Sequence, residues 1–231
     1  DIILDKYIKG KVIGISPEAP VPIVKIENES FEIGGAANVA QNITGLGGKV
    51  ILIGLTGSDQ TSRKVRSLIN DNKKIKLSVV KAKNYITPLK IRIIGNSSQL
   101  IRIDEERSFF EINNITEKQI LKEVRKFINE INTIVISDYN KGMLNKNIIR
   151  DIIDIAKKNS VNILVDPKKN IKVYKGADIL TPNIREFQDL FVGKPNIRKI
   201  NIANEAKKII KEYKIQEILV TMSEKGMLYV N

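Results

Sequence analysis

The sequence predicts an α/β fold built on a mostly parallel sheet, with a small β lid beside it. Two observations carry this expectation. From about residue 36 onward, short β-branched runs alternate with helical patterns, the order that specifies βαβ units. Residues 21–26, 90–94 and 100–103 break that rhythm by alternating apolar and polar side chains, which suits antiparallel strands with one wet face.

In chain order, Asp1 is not an initiator Met and directly precedes the apolar Ile2-Ile3-Leu4, so the chain is expected to begin inside an element. Pro20 and Pro22 bound the first lid strand. A helix follows at 36–46, a strand at 50–53, a helix at 59–70 and a strand at 77–80. Gly95-Asn96-Ser97-Ser98 supplies the turn between the two later lid strands. A helix is expected at 116–128, where Thr116 followed by Glu117 offers a capped start. Strands at 133–137, 162–165, 178–180 and 217–221 then alternate with helices at 145–158, 184–191 and 203–213, each helix carrying apolar residues at helical spacing. No internal repeat, low-complexity tract or interdomain linker is visible, so 231 residues read as one substantial domain.

The composition narrows the chemistry. With no Cys and no His, disulfides, thiolate nucleophiles, imidazole bases and the usual zinc ligands are excluded. Catalysis would have to run on carboxylates, Lys, Arg, hydroxyls and backbone dipoles. No apolar run approaches the roughly 20 residues of a membrane span, so no membrane partner and a cytoplasmic location are expected. The formal charge of +13 is large. Its Lys and Arg are scattered and aromatics are only 5%, a pattern that lacks the interleaving of a nucleic-acid surface. A positive potential that draws in phosphorylated substrates fits it as well as solvated helix faces do.

The most informative stretch is Gly34-Gly35-Ala36-Ala37-Asn38-Val39-Ala40, followed by Gly47 and Gly57. Two glycines before a helix let the backbone approach a ligand and leave amide donors aimed at it, and Asn38 can add a side-chain contact one turn in. A tight turn that packs the helix closely on the sheet fits the same spacing. Neither phosphate-loop grammar applies: there is no G-x-x-x-x-G-K-[ST], and Gly45-Leu46-Gly47-Gly48 does not complete G-x-G-x-x-G.

This glycine segment resembles the first signature of the ribokinase family of carbohydrate kinases. The resemblance implies a ribokinase-like three-layer α/β/α fold, with residues 1–231 forming a partial kinase domain and lid strands at about 12–33 and 88–104. It makes Gly34, Gly35 and Asn38 sugar-binding candidates, and Asp1 a carboxylate for sugar hydroxyls. Segments 15–22, 99–104 and 137–142 resemble the heptose 7-phosphate kinases of that family in particular, in which the lid commonly takes part in homodimer contacts. ATP and Mg2+ are the implied cofactors. An anionic sugar phosphate needs cations, and Lys90, Arg92 and Arg102 lie in the expected lid. Arg102 paired with Asp104 is the plainer reading of that position.

Asp138 follows the apolar run Ile134-Val135-Ile136, at the carboxyl end where open α/β sheets place their ligands. It joins the substrate-binding candidates. Lys141 follows in the same loop, and Asp166-Pro167-Lys168 repeats the arrangement one strand later, so Lys141 and Lys168 are candidates for the neighbourhood of the phosphates. Loop polarity and helix capping account for the same residues. Thr181-Pro182-Asn183-Ile184-Arg185-Glu186 passes from a strand end into a helix, with Asn183 and Glu186 spaced as a capping box. It also resembles the family's Asn-x-x-Glu motif, which implies that Asn183, Ile184, Arg185 and Glu186 face ATP and that Glu186 serves the metal through water. The strand, loop and strand around 220–227 is similar to the family's nucleotide-binding turn, adding Thr221, Ser223 and Gly226.

The family continues to a Gly-Ala-Gly-Asp motif whose Asp takes the proton from the sugar hydroxyl. That motif is not found in residues 1–231, so no catalytic base is assigned here and the piece alone is expected to be inactive. The function the resemblance implies is ATP-dependent phosphorylation of D-glycero-D-manno-heptose 7-phosphate at O1, giving the 1,7-bisphosphate for lipopolysaccharide core assembly. Another ribokinase-like sugar kinase, or a noncatalytic sugar- or nucleic-acid-binding module, is the alternative.

Overall fold

The computed structural model describes residues 1–107, 111–168, 170–192 and 201–231. They fall into two compact units, Ile2–Phe110 and Glu111–Asn231, with Asp1 belonging to the second.

The first unit opens with two long strands, β1 (Ile2–Ile15) and β2 (Pro22–Gly35), followed by α1 (Ala36–Gly45), β3 (Val50–Thr56), α2 (Gln60–Asn70), β4 (Ile75–Lys81), β5 (Leu89–Gly95) and β6 (Ser98–Glu105). A four-stranded sheet runs β2-β1-β5-β6, and β3 pairs with β4 in parallel. Only part of β1 and β2 was foreseen, because charged residues interrupt the alternation along both. Nor is the four-stranded sheet wholly antiparallel: β1 pairs with β5 in parallel, since β5 is reached through the intervening α/β layer and not by a hairpin. The β5–β6 hairpin turns at Asn96 and Ser97, both with positive φ, the twist that matches right-handed strands.

Period 2 gives that sheet two different faces. Register places Ile91 opposite Ile103 and Ile93 opposite Ile101, while Asp5, Lys90 and Asp104 share one row of the other face and Tyr7, Arg92 and Arg102 the next. At the inner end of β1 and β2, Ile2, Leu4 and Ile33 join Ala37 and Ala40 of α1 and Val65 and Ile69 of α2 in one apolar cluster. Asp59 caps α2 by accepting from the Ser62 amide at 2.7 Å, and its other oxygen accepts from the Thr87 amide at 2.8 Å.

The second unit contains α3 (Asn114–Phe127), β7 (Thr133–Ser137), α4 (Lys146–Lys158), β8 (Asn162–Asp166), β9 (Ile179–Leu180), α5 (Ile184–Glu186), α6 (Ile202–Tyr213), β10 (Glu217–Thr221) and β11 (Met227–Val230). Its sheet runs β11-β10-β9-β8-β7, parallel throughout except for the β10–β11 hairpin. α4 buries Ile148, Ile149, Ile152, Ile153 and Ala156, one stripe at helical spacing. Each such fully buried isoleucine contributes about 1.5–3 kcal/mol.

Two helices differ from expectation by more than one residue. α3 starts two residues before Thr116, because Asn113 is the cap and accepts from the Thr116 amide at 2.9 Å. The helix expected at 184–191 is a single α turn followed by a π-helical segment, Phe187–Val192.

Candidate functional site

In the first unit three of the expected sugar residues, Gly34, Gly35 and Asn38, lie where β2 runs into α1, whereas Asp1 and Asp138 belong to the second unit. Gly34 and Gly35 pair with Ile3 and Ile2 of β1. Gly35 is the N-cap of α1 at φ 58°, a conformation that favours glycine, and no side chain caps the first turn. Gly34 differs: a Cβ there would meet Asp5 Oδ2, so any side chain at this position must displace that carboxylate. The Asp5 carboxylate therefore leans across the Gly34 backbone. Asn38 is exposed one turn further on.

Asp5 is itself held by Arg92, whose Nη1 donates to Asp5 Oδ1 at 2.5 Å. That hydrogen bond raises the Arg92 pKa above its ordinary value, and the Arg92 guanidinium lies 5.2 Å from the centre of the Tyr7 ring. On the same face Lys90 Nζ and Arg102 Nε reach Asp104 at 3.0 and 2.9 Å. Burial works to raise the Asp104 pKa, but these two donors outweigh it and lower it. All three expected lid cations are thus paired with carboxylates, Arg102 in the plainer way that its spacing from Asp104 allows.

In the second unit the expected residues meet at the carboxyl ends of β7 and β8. Asp1 is almost fully buried; its Oδ2 accepts from the Tyr139 and Lys141 amides at 3.1 and 3.2 Å, and its nitrogen donates to the Ser137 carbonyl at 3.1 Å. In this arrangement Asp1 organises the loop that carries Lys141. Asp138 is fully buried, accepting from the Asn140 amide at 2.8 Å and from the Tyr174 hydroxyl at 2.9 Å. The same hydroxyl accepts from the Lys168 amide at 3.0 Å. Lys168 Nζ pairs with Glu186 Oε1. Asp166, beside them, has its pKa raised chiefly by burial; Lys168 opposes the rise and Asp138 adds to it.

The expected nucleotide residues also converge. Asn183 and Glu186 form a complete capping box around α5: Glu186 N donates to Asn183 Oδ1 at 3.0 Å and Asn183 N to Glu186 Oε2 at 2.9 Å. Ile184 is half-buried and Arg185 exposed within that turn. A parallel bridge joins Asn183 to Thr221, and the Thr221 amide donates to the Pro182 carbonyl at 3.0 Å. The loop after Thr221 closes on itself, Met222 N donating to the Gly226 carbonyl at 2.9 Å, with Ser223 at φ 52° and Gly226 at φ 81°.

Two residues of these sites carried no sequence signal strong enough to single them out. Asp5 sits in β1 opposite Glu32, and only the lean of its carboxylate across Gly34, diagonally placed on the neighbouring strand, exposes its role. Tyr174 belongs to no motif; the 3-10 turn Ile171–Tyr174 places it.

Among the described residues no group of three or more acidic side chains gathers to hold a metal, and no helix is long and apolar enough to cross a membrane.

Comparison with known proteins extends this picture. Residues 7–231 match the model of the pfkB family of carbohydrate kinases. Over 228 residues the chain is 41% identical to the bifunctional protein HldE of Blochmanniella pennsylvanica and 39% identical to that of Haemophilus influenzae, covering 98% of this chain and 46% of each relative. The chain thus spans about half the length of the curated relatives it matches. Phosphofructokinase-2 of Escherichia coli in complex with fructose-6-phosphate superposes with a TM-score of 0.78 at 21% identity, over 100% of this chain and 74% of the other. A possible 1-phosphofructokinase of Thermotoga maritima does so with a TM-score of 0.74 at 17% identity, over 99% and 74%. These likenesses show the ribokinase-like α/β fold with its mostly parallel sheets. The family match, spanning nearly the whole sequence, decides the rest: the chain belongs to the pfkB family of carbohydrate kinases.

Proposed function

We propose that the protein carrying this chain transfers the γ-phosphoryl group of ATP to O1 of D-glycero-D-manno-heptose 7-phosphate. The observation that supports this most is the 38–41% identity to HldE proteins across nearly the whole chain, well above the 20–21% identity to the phosphofructokinase-2 structures. In the reaction the sugar O1 forms a bond to the γ-phosphorus, the bond from that phosphorus to the β–γ bridging oxygen breaks, and ADP leaves. The hydroxyl proton passes to a base that we do not assign among the described residues.

Each unit serves one substrate in this reading. Gly34, Gly35, Asn38 and Asp5 receive the sugar: the uncapped amides of α1 donate to it and the Asp5 carboxylate accepts from a hydroxyl. Lys90 and Arg102 lie within one row of Asp5, and Arg102, the more exposed of the two, is the cation we assign to the sugar's phosphate. Asp138 is too deeply buried for direct contact and shapes the loop of Lys141 instead.

Asn183, Ile184, Arg185, Glu186, Thr221, Ser223 and Gly226 receive ATP, with Lys141 and Lys168 toward its phosphates. The donor set fits a Mg2+ ion held by the phosphates and water, since the Glu186 carboxylate is already engaged by Lys168 and Asn183. Bound there, Mg2+ would neutralise charge developing on the transferred group. Asn183 and Glu186 keep the α5 turn in place, and Lys168 supplies a positive charge beside Glu186.

The exposed Ile101 and Ile103 of β6 and Ile13 and Ile15 of β1 give the lid an apolar surface that we assign to contact with a second copy. A cytoplasmic role in making the activated heptose of lipopolysaccharide core follows from the same reading. Incubating the full-length protein with MgATP and heptose 7-phosphate tests it: phosphorus NMR should show a new anomeric phosphate coupled to ADP release. Phosphorylation at another position, or of other sugars only, would reject the assignment.

A further inference from the structure

We infer that Tyr174 is a positioning residue for phosphoryl transfer, holding the Asp138 carboxylate and the Lys168 backbone in one fixed relation at the ends of β7 and β8. This rests on the kinase reading above and extends it to a residue outside every expected motif.

Tyr174 has no exposed surface. A phenylalanine would fill the same space without the desolvation cost of a hydroxyl, so a purely apolar role does not account for the phenol. Its oxygen is used in both senses at once, donating to Asp138 and accepting from the Lys168 amide. Asp138 is therefore gripped from two sides, by this hydroxyl on Oδ2 and by the Asn140 amide on Oδ1. On the far side the Lys168 ammonium meets Glu186, whose other oxygen accepts from the Asn183 amide.

The path Asn140, Asp138, Tyr174, Lys168, Glu186, Asn183 is thus continuous, and it crosses from the loop of Lys141 to the turn assigned to ATP. Within it Tyr174 joins two strand-end loops, its hydroxyl bonded to Asp138 of one and to the Lys168 amide of the other. Without its hydroxyl the Lys168 amide loses an acceptor and Asp138 a donor, and the ammonium is no longer aimed by its own backbone.

The test is Tyr174→Phe in the full-length protein. The expected result is a fall of about tenfold in kcat/KM for ATP, the scale of one hydrogen bond to a charged group. The sugar KM should stay within about twofold, and Asp138→Asn should give a loss that does not multiply with that of Tyr174→Phe. A structural role alone would lower the melting temperature and leave this split unmoved. ATP kinetics equal to wild type, equal losses on both substrates, or fully multiplicative losses would overturn the inference. Should Tyr174→Phe not fold, Asp138→Asn, which keeps the phenol packed, carries the test: an ATP-selective loss supports the inference and its absence overturns it. A wild-type protein that phosphorylates a different sugar defeats only the substrate assignment, because the ATP split is read on whichever sugar is used; one with no kinase activity defeats both.

Discussion

The Asp5 carboxylate occupies the space that a side chain at position 34 would need. A side chain at position 34 therefore displaces a neighbouring carboxylate, whereas Gly35 is favoured by its own backbone, two separate reasons behind one double-glycine signature. Gly34→Ala is expected to push Asp5 off Arg92 and to cost about 1–3 kcal/mol of stability, the usual scale of overpacking. Its kinetic mark should be a sugar KM raised by about tenfold or more with the ATP KM unchanged, read by steady-state kinetics in the full-length protein.

Within the 222–226 loop, Ser223 and Gly226 both have positive φ, yet only one is glycine. Ser223→Gly is expected to stabilise by about 0.5–1 kcal/mol by relieving a left-handed serine. Gly226→Ala should destabilise by about 1–3 kcal/mol for backbone reasons alone, since its φ of 81° with ψ of −138° suits glycine and a Cβ there meets nothing within 4 Å. Urea midpoints of the two variants check both signs.

Arg102 is half exposed, and its ion pair with Asp104 is on the scale of exposed pairs, about 0–1 kcal/mol. Arg102→Gln should leave the melting temperature almost unmoved. If Arg102 receives the sugar's phosphate, the KM for heptose 7-phosphate should rise by about tenfold while that for unphosphorylated heptose does not change. An equal effect on both sugars would remove Arg102 from the phosphate site.

Asp166 has a folded-state pKa above its ordinary value, the reverse of most carboxylates. Between the unfolded pKa near 4 and the raised folded value, the native state binds more protons than the unfolded one. Stability from this group is therefore present below about pH 4 and is lost as pH rises through the folded pKa. Asp166→Asn should melt at a higher temperature than wild type at pH 7, with the gap closing toward pH 4. A constant gap across that range would contradict the assigned cause.

Much of this was legible in the sequence, for identifiable reasons. Strands 133–137 and 217–221 were readable to the residue, because each short apolar, β-branched run is bounded by polar residues. The α4 and α2 starts were marked by Asn145 and Asp59, whose side chains cap them. β1 was mostly hidden, since Lys6, Lys9 and Lys11 with Gly10 and Gly14 dilute its alternation. The capping-box reading of Asn183 and Glu186 is realised in full, and the geometry leaves a ligand role beside it open to kinetics. Asp5 and Tyr174 escaped because their significance lies in register and in burial, neither of which one sequence displays.

The most direct measurement of the central claim is the ratio of kcat/KM values for heptose 7-phosphate and for fructose 6-phosphate, taken on the full-length protein with saturating MgATP. The account predicts a preference for the heptose of at least about a hundredfold, the sum of several hydroxyl and phosphate contacts that the smaller sugar cannot make together. A ratio near one, or a preference for fructose 6-phosphate, would contradict it.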